Sequence, residues 1–174
     1  MLDSICEIPV YCRPGGAGRD AGEVAARVLV DEDDWLRFAR FRWRLHDGYA
    51  ISTGSRRNPI GEPERHYFLH RLILGLDHGD KRRADHRNRD RLDCRRANLR
   101  IVTQAQNNQN VTASGAVPYR GVCLHTPSGR YFARVTIDGR THSLGYHRTP
   151  LEAAAAAEAF RAEHMPFSEE ATDA

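Results

Sequence analysis

"RRADHRNRDRLDCRRANLRIVTQAQNNQN", residues 82–110, decides how this chain is read. It packs arginine around an Asp-His pair and then spaces out asparagines. A core strand does not tolerate so many charges, and a solvated helix has no need of the Asp-His pair. "LRIV" reads as a short strand, and "TQAQ" is a Thr-x-x-Gln capping box that starts a helix at Thr103. Just upstream, "HYFLHRLILG" has helix-like spacing, with Phe68, Leu69, Leu72 and Leu74 apolar. The stretch therefore predicts strand, long loop, strand, helix. Asp85 and His86 end the first strand, Asn98 precedes the second, and Asn107 lies one turn into the helix. Such a hairpin and helix would gather these residues, with Asp85 and Asn107 facing each other across the crevice.

The flanks read as separate pieces. Residues 1–64 are β-rich: "EIPVYC", "ARVLV", "RFRWRL" and "YAIST" are strands, the last two joined by a hairpin turn at Asp47-Gly48. "DEDDWLRFA" is a short helical turn, and "SRRNPIGEPE" a loop. Residues 65–110 form the central core and 111–117 a linker of small residues. Residues 118–165 hold three strands, the last two joined at Asp138-Gly139. They are followed by a helix with Thr149 as N-cap, Pro150 at its first position and Glu152 completing a capping box. An acidic tail, 166–174, closes the chain. The fold class expected is α+β: a small ββα core with an N-terminal β-rich segment, and a separate three-stranded antiparallel sheet packed on one helix.

Composition narrows the chemistry. Of 174 residues, 40% are hydrophobic and 28% charged, which suits a folded protein with small cores. No apolar run approaches a membrane span, and the N-terminus lacks the pattern of a secretory signal, so the cytoplasm is the expected compartment. Cys6, Cys12, Cys94 and Cys123 form no C-x-x-C pair, which disfavours a zinc ribbon and leaves inert thiols. Net charge is only +3, yet nine Lys or Arg against three Asp stand between Lys81 and Arg100, while "DEDD" at 31–34 and the tail are acidic. A basic centre between acidic margins points to a polyanionic partner.

The order "DH…NL…T…N" resembles the HNH endonuclease family, whose core is the ββα-metal finger. "LHRLILG", "ADHRNRDRLDCRRANLR" and "TQAQNNQN" are similar to its phage and intron-homing subgroup, over roughly residues 65–110. Asn107 stands where many members carry His, as is common in that subgroup. The resemblance implies that His86 is the general base, that Asp85 and Asn107 hold one divalent cation, and that Asn98 bonds backbone across the loop and positions His86. The chemistry agrees: phosphodiester hydrolysis needs an activated water and a stabiliser of charge on the phosphate and leaving oxygen. One carboxylate plus one amide oxygen suits Mg²⁺, with Mn²⁺ as a substitute, better than zinc. Asp77-His78 is a second Asp-His pair without the continuation, and His70 reads as a structural histidine.

Residues 118–164 are similar to the APETALA-type domain of plant ethylene-response factors, through "YRGV", "SGR", "ARV", "LGY" and the Thr-x-x-Glu helix start. That resemblance implies a sheet laid in the major groove. Cys123 departs from the family's usual Arg, and the conserved tryptophans are missing, so the target sequence does not follow. The DNA-contact candidates are Arg87, Arg89, Arg96 and Arg100 around the nuclease pattern, and Arg120, Arg130, Arg134 and Arg140 in the sheet. The expected function is metal-dependent cleavage of double-stranded DNA, by nicking or double-strand cutting, of homing or phage type, in a bacterial or phage-encoded protein, with a monomer favoured. The alternative is a DNA-binding regulator on a catalytically silent scaffold.

Overall fold

The computed structural model describes residues 5–12, 22–76, 78–111, 113 and 116–168. It is a mixed α+β structure in two compact units, Met1–Val102 and Thr103–Ala174.

The first unit is built on a five-stranded sheet of order β2-β1-β3-β4-β5. Its strands are β1 (Ile5–Tyr11), β2 (Val24–Asp31), β3 (Trp43–His46), β4 (Tyr49–Thr53) and β5 (His66–Phe68). Neighbours run antiparallel except β1 and β3, which pair in parallel. The β3–β4 turn puts Asp47 at φ 47 and Gly48 at φ 78, the left-handed pair that a two-residue hairpin of the twisted type requires. Alternation buries Ile8, Val10, Val28 and Val30, and they close around Trp43, Phe38 from helix α1 (Glu32–Phe38), and Leu69 and Ile73 from helix α2 (Leu69–Ile73). Trp43 is fully buried, and its indole N–H donates to the Phe38 carbonyl at 2.9 Å, so its polar atom is satisfied inside the core.

The helix expected over "HYFLHRLILG" is corrected. His66–Phe68 pair with Thr53–Ile51 as an edge strand, and only Leu69–Ile73 turn helical. A free sheet edge at β4 outweighs the local periodicity, because pairing satisfies backbone groups that a short helix would leave open.

The unit ends in a two-stranded ribbon, β6 (Arg83–His86) against β7 (Leu99–Val102), in the register Asp85↔Arg100 and His86↔Leu99.

The second unit begins with the short helix α3 (Gln104–Asn107), one residue after β7, with the Thr103/Gln106 capping box formed on both sides. Its sheet has the order β10-β9-β8, from β8 (Val122–His125), β9 (Arg130–Ile137) and β10 (Arg140–His147). Helix α4 (Pro150–His164) packs on it through Ala153 and Ala157, both fully buried, against Val122, Ala133 and Val135. Gly121 has φ +80, and a side chain there would run into the Arg134 carbonyl, so the "YRGV" glycine is required for close strand approach. The second hairpin turn, Asp138-Gly139, repeats the left-handed pair at φ 49 and 78.

Candidate active site

The ribbon carries Asp85 and His86 at the end of β6, both buried, at 8% and 5% exposure. The connection from Arg87 to Asn98 is a tightly bonded loop. Arg89 sits at φ 64 and its N–H donates to the His86 carbonyl at 3.0 Å. The Asn88 side chain accepts from Asp90 N–H, and Asp90 accepts from Leu92 N–H, each at 2.9 Å. These are the side-chain turns that Asn and Asp favour.

Asn98 is the tie across this loop. Its amide donates to the Asp93 carbonyl at 2.7 Å, its side-chain oxygen accepts from Asn88 N–H at 3.0 Å, and its own carbonyl accepts from Arg87 N–H at 2.9 Å. Asn98 thus bonds backbone on both flanks of the loop that follows His86.

The N-terminal sheet buttresses the same loop. Leu29 on β2 donates to the Leu92 carbonyl at 2.8 Å and accepts from Cys94 N–H at 2.9 Å. Asp93, almost fully buried, receives the Arg95 guanidinium at 2.7 and 2.6 Å and the Asn88 amide at 2.9 Å. The Arg95 hydrogen bond is the main cause that holds the Asp93 carboxyl below its ordinary range.

His86 lies among aromatic rings and one thiol. Its ring centroid is 5.0 Å from His70 and 6.1 Å from Tyr49, and its Nε2 is 3.8 Å from the Cys94 sulfur. Burial lowers the His86 pKa, and this outweighs the raising influence of Asp85, Asp90 and Asp93. His86 is therefore held toward its neutral, proton-accepting form. His70, 7% exposed, is pushed down to about 3 by burial, then by His86 and Arg71. The Cys94 thiol is pushed up to about 12, chiefly by burial, and stays protonated.

The arginines proposed for DNA divide sharply. Arg100 is buried, and its Nε and guanidinium NH₂ reach the same Asp85 oxygen at 2.8 and 2.7 Å. Arg96 donates its backbone N–H to Asp31 and its guanidinium to Asp34, at 2.8 and 2.7 Å, so the "DEDD" run partly neutralises the basic loop from within. Arg87 is exposed and Arg89 half-buried. In the second unit, Arg120 donates to the Gln109 carbonyl and Ser168 hydroxyl at 2.6 and 2.9 Å, a tie inside the unit. Arg130, Arg134 and Arg140 are exposed. Register places Arg130 and Arg134 on the sheet face away from α4, with Phe132, Tyr146 and His125, whose rings stand 5.0 and 5.1 Å apart.

Asp85, His86 and Asn98 come together in the first unit. Asn107 ends α3 in the second. His70 is a ring neighbour of His86, while His78 is exposed and Asp77 lies outside the described residues. Sequence reasoning missed Asp93, Cys94 and the Asp85–Arg100 pair. The Arg-Leu-Asp-Cys run at 91–94 alone carried no signal for them.

Residues 67–109 match the sequence profile of the family described as HNH endonuclease. The chain is also similar to an uncharacterized HNH endonuclease of Acanthamoeba polyphaga mimivirus: 29% identical over 138 residues, 79% of this chain and 68% of that protein. No solved structure matches. The profile match runs from β5 through α3 and takes in Asp85, His86, Asn98 and Asn107, so over this stretch the chain is similar to HNH endonucleases.

Proposed function

We propose that the chain hydrolyses phosphodiester bonds in double-stranded DNA, with His86 as general base, Asp85 as the charged ligand of one divalent cation, and Asn98 as the residue that positions His86. The observation that carries this reading is the buried Asp85-His86 pair closing β6, with the loop behind it locked by Asn98. His86 takes the proton of the attacking water. Its lowered pKa keeps it ready to accept that proton near neutral pH. Asn107 is the second oxygen donor by the sequence pattern alone.

The donor chemistry fits a hard cation. Asp85 offers carboxylate oxygen, where zinc favours nitrogen and sulfur ligands. Mg²⁺ or Mn²⁺, which keep several waters, fit that set. When bound, such an ion supplies Lewis-acid stabilisation of the scissile phosphate and leaving oxygen. Arg130 and Arg134 on the outer sheet face, with Arg140 at its end, carry DNA recognition, while Arg87 and Arg89 flank the scissile phosphate.

Supercoiled plasmid incubated with Mg²⁺ or Mn²⁺ should give nicked or linear product, and Asp85→Ala should lose more of it than Asn107→Ala. Undiminished cleavage in excess EDTA rules the reading out.

A further inference from the structure

The Asp85–Arg100 pair is built into the ribbon. The two residues face each other in register, so their side chains leave the same face, and both are only 9% exposed as side chains. Two short contacts from Arg100, through Nε and a terminal guanidinium nitrogen, fall on one carboxylate oxygen. In the free protein Arg100 is thus turned to Asp85 rather than held out in solvent. The buried carboxylate is charge-balanced by an internal guanidinium before any cation arrives.

We propose that Arg100 is a positioning residue that acts as the standing counter-charge of Asp85, weakens divalent-metal binding to the free protein, and is relieved when a DNA phosphate enters. The inference rests on Asp85 being the metal ligand, as proposed above. Binding a cation at Asp85 places it within a few ångströms of the Arg100 guanidinium, in surroundings that screen charge poorly. The two positive charges then compete for one carboxylate. A phosphate at the site offers Arg100 a second anion, in the planar two-pronged geometry that guanidinium favours. Metal and DNA should therefore each raise the affinity for the other, by the same factor. Arg100→Gln removes the competing charge and, with it, the share of the coupling that runs through Arg100. Arg100→Lys keeps the charge.

The test is Mn²⁺ binding to the full chain, followed by calorimetry and by the electron-spin resonance of free Mn²⁺. Wild type and Arg100→Lys should bind weakly, Arg100→Gln about tenfold more tightly, and Asp85→Asn not measurably. A short duplex with uncleavable linkages should tighten Mn²⁺ binding to wild type by a larger factor than to Arg100→Gln, in which only the direct pull of phosphate on the cation is left. Equal Mn²⁺ affinity in Arg100→Gln and wild type, with binding abolished in Asp85→Asn, overturns the role of Arg100 alone. Unchanged binding in Asp85→Asn overturns the metal assignment itself. A measurement on wild type stands independently of how the variants fold. The Arg100 Nε–H resonance, identified by its loss in Arg100→Lys, should move on Mg²⁺ saturation. A resonance that stays in place under saturating Mg²⁺ contradicts the competition.

Discussion

His86 and His70 show how strongly burial can set a side chain's chemistry. Three carboxylates near His86 favour its charged form, yet desolvation prevails and the imidazole is held toward neutrality. His70, in tilted ring contact with Tyr49 and His86 at 5.1 and 5.0 Å, is neutral far below its ordinary range. This has a consequence for stability. Unfolded, His70 takes up a proton near pH 6.5; folded, it does so only near 3. The unfolded chain binds more protons across that window. The first unit should lose stability as pH falls below about 6.5, by up to about 1.4 kcal/mol per pH unit for this group. Urea unfolding at a series of pH values should show the loss in wild type and a shallower slope in His70→Phe, with His86 and, at the acid end, Asp93 supplying the remainder. Identical slopes in the two proteins would remove His70 as the cause.

At the scale of elements, the loop from Arg87 to Asn98 is the unusual piece, because an irregular connection here is as bonded as a strand. Asn98 supplies four of its ties, two through its side chain and two through its backbone. Asn98→Ala leaves the Asp93 carbonyl and the Asn88 N–H without their partner, which costs about 1–3 kcal/mol. It should also cut cleavage by loosening the loop behind His86. A loss under about 0.5 kcal/mol, the range of an ordinary surface change, would mean that β2 holds the loop unaided.

The elements also show what the sequence could disclose. Both Asp-Gly hairpins, both capping boxes and, among the described residues, every strand but β5 follow from local rules, because turn chemistry and alternation act within a few residues. The edge strand β5 escaped because its partner lies across a loop. Arg96, Arg100 and Arg120 were legible as positive charge but not as ion pairs or internal ties. Asp34 lies 62 residues from Arg96, and nothing in either stretch says that they meet. The Asp-His-Asn pattern was legible because its chemistry fixes both residue type and spacing. His70 read as a structural histidine, and Cys94 gave no sign that it would lie against His86.

For the whole molecule, the proposal assigns chemistry to the ribbon and DNA recognition largely to the outer face of the three-stranded sheet. Arg130 and Arg134 are exposed there beside Phe132 and Tyr146. If an arginine of the pair contacts phosphate, its replacement by Ala should weaken binding to all sequences and lower the log–log salt slope by about 0.9. If instead it reads a base, the change should relax preference at one position by roughly 1–3 kcal/mol with little change in slope. Binding that ignores both substitutions would take DNA recognition away from this face.

The central claim is that His86 is the base of a working nuclease, and one comparison tests it most directly. Wild type and His86→Ala are matched for DNA affinity by gel shift and then given supercoiled plasmid with Mg²⁺. The account predicts equal binding and a rate of nicking lower by about 10²–10⁴-fold in the variant, the usual worth of a positioned proton acceptor. Cleavage by His86→Ala at the wild-type rate would contradict it. DNA binding by wild type with no cleavage in either metal would leave a regulator on a silent nuclease scaffold.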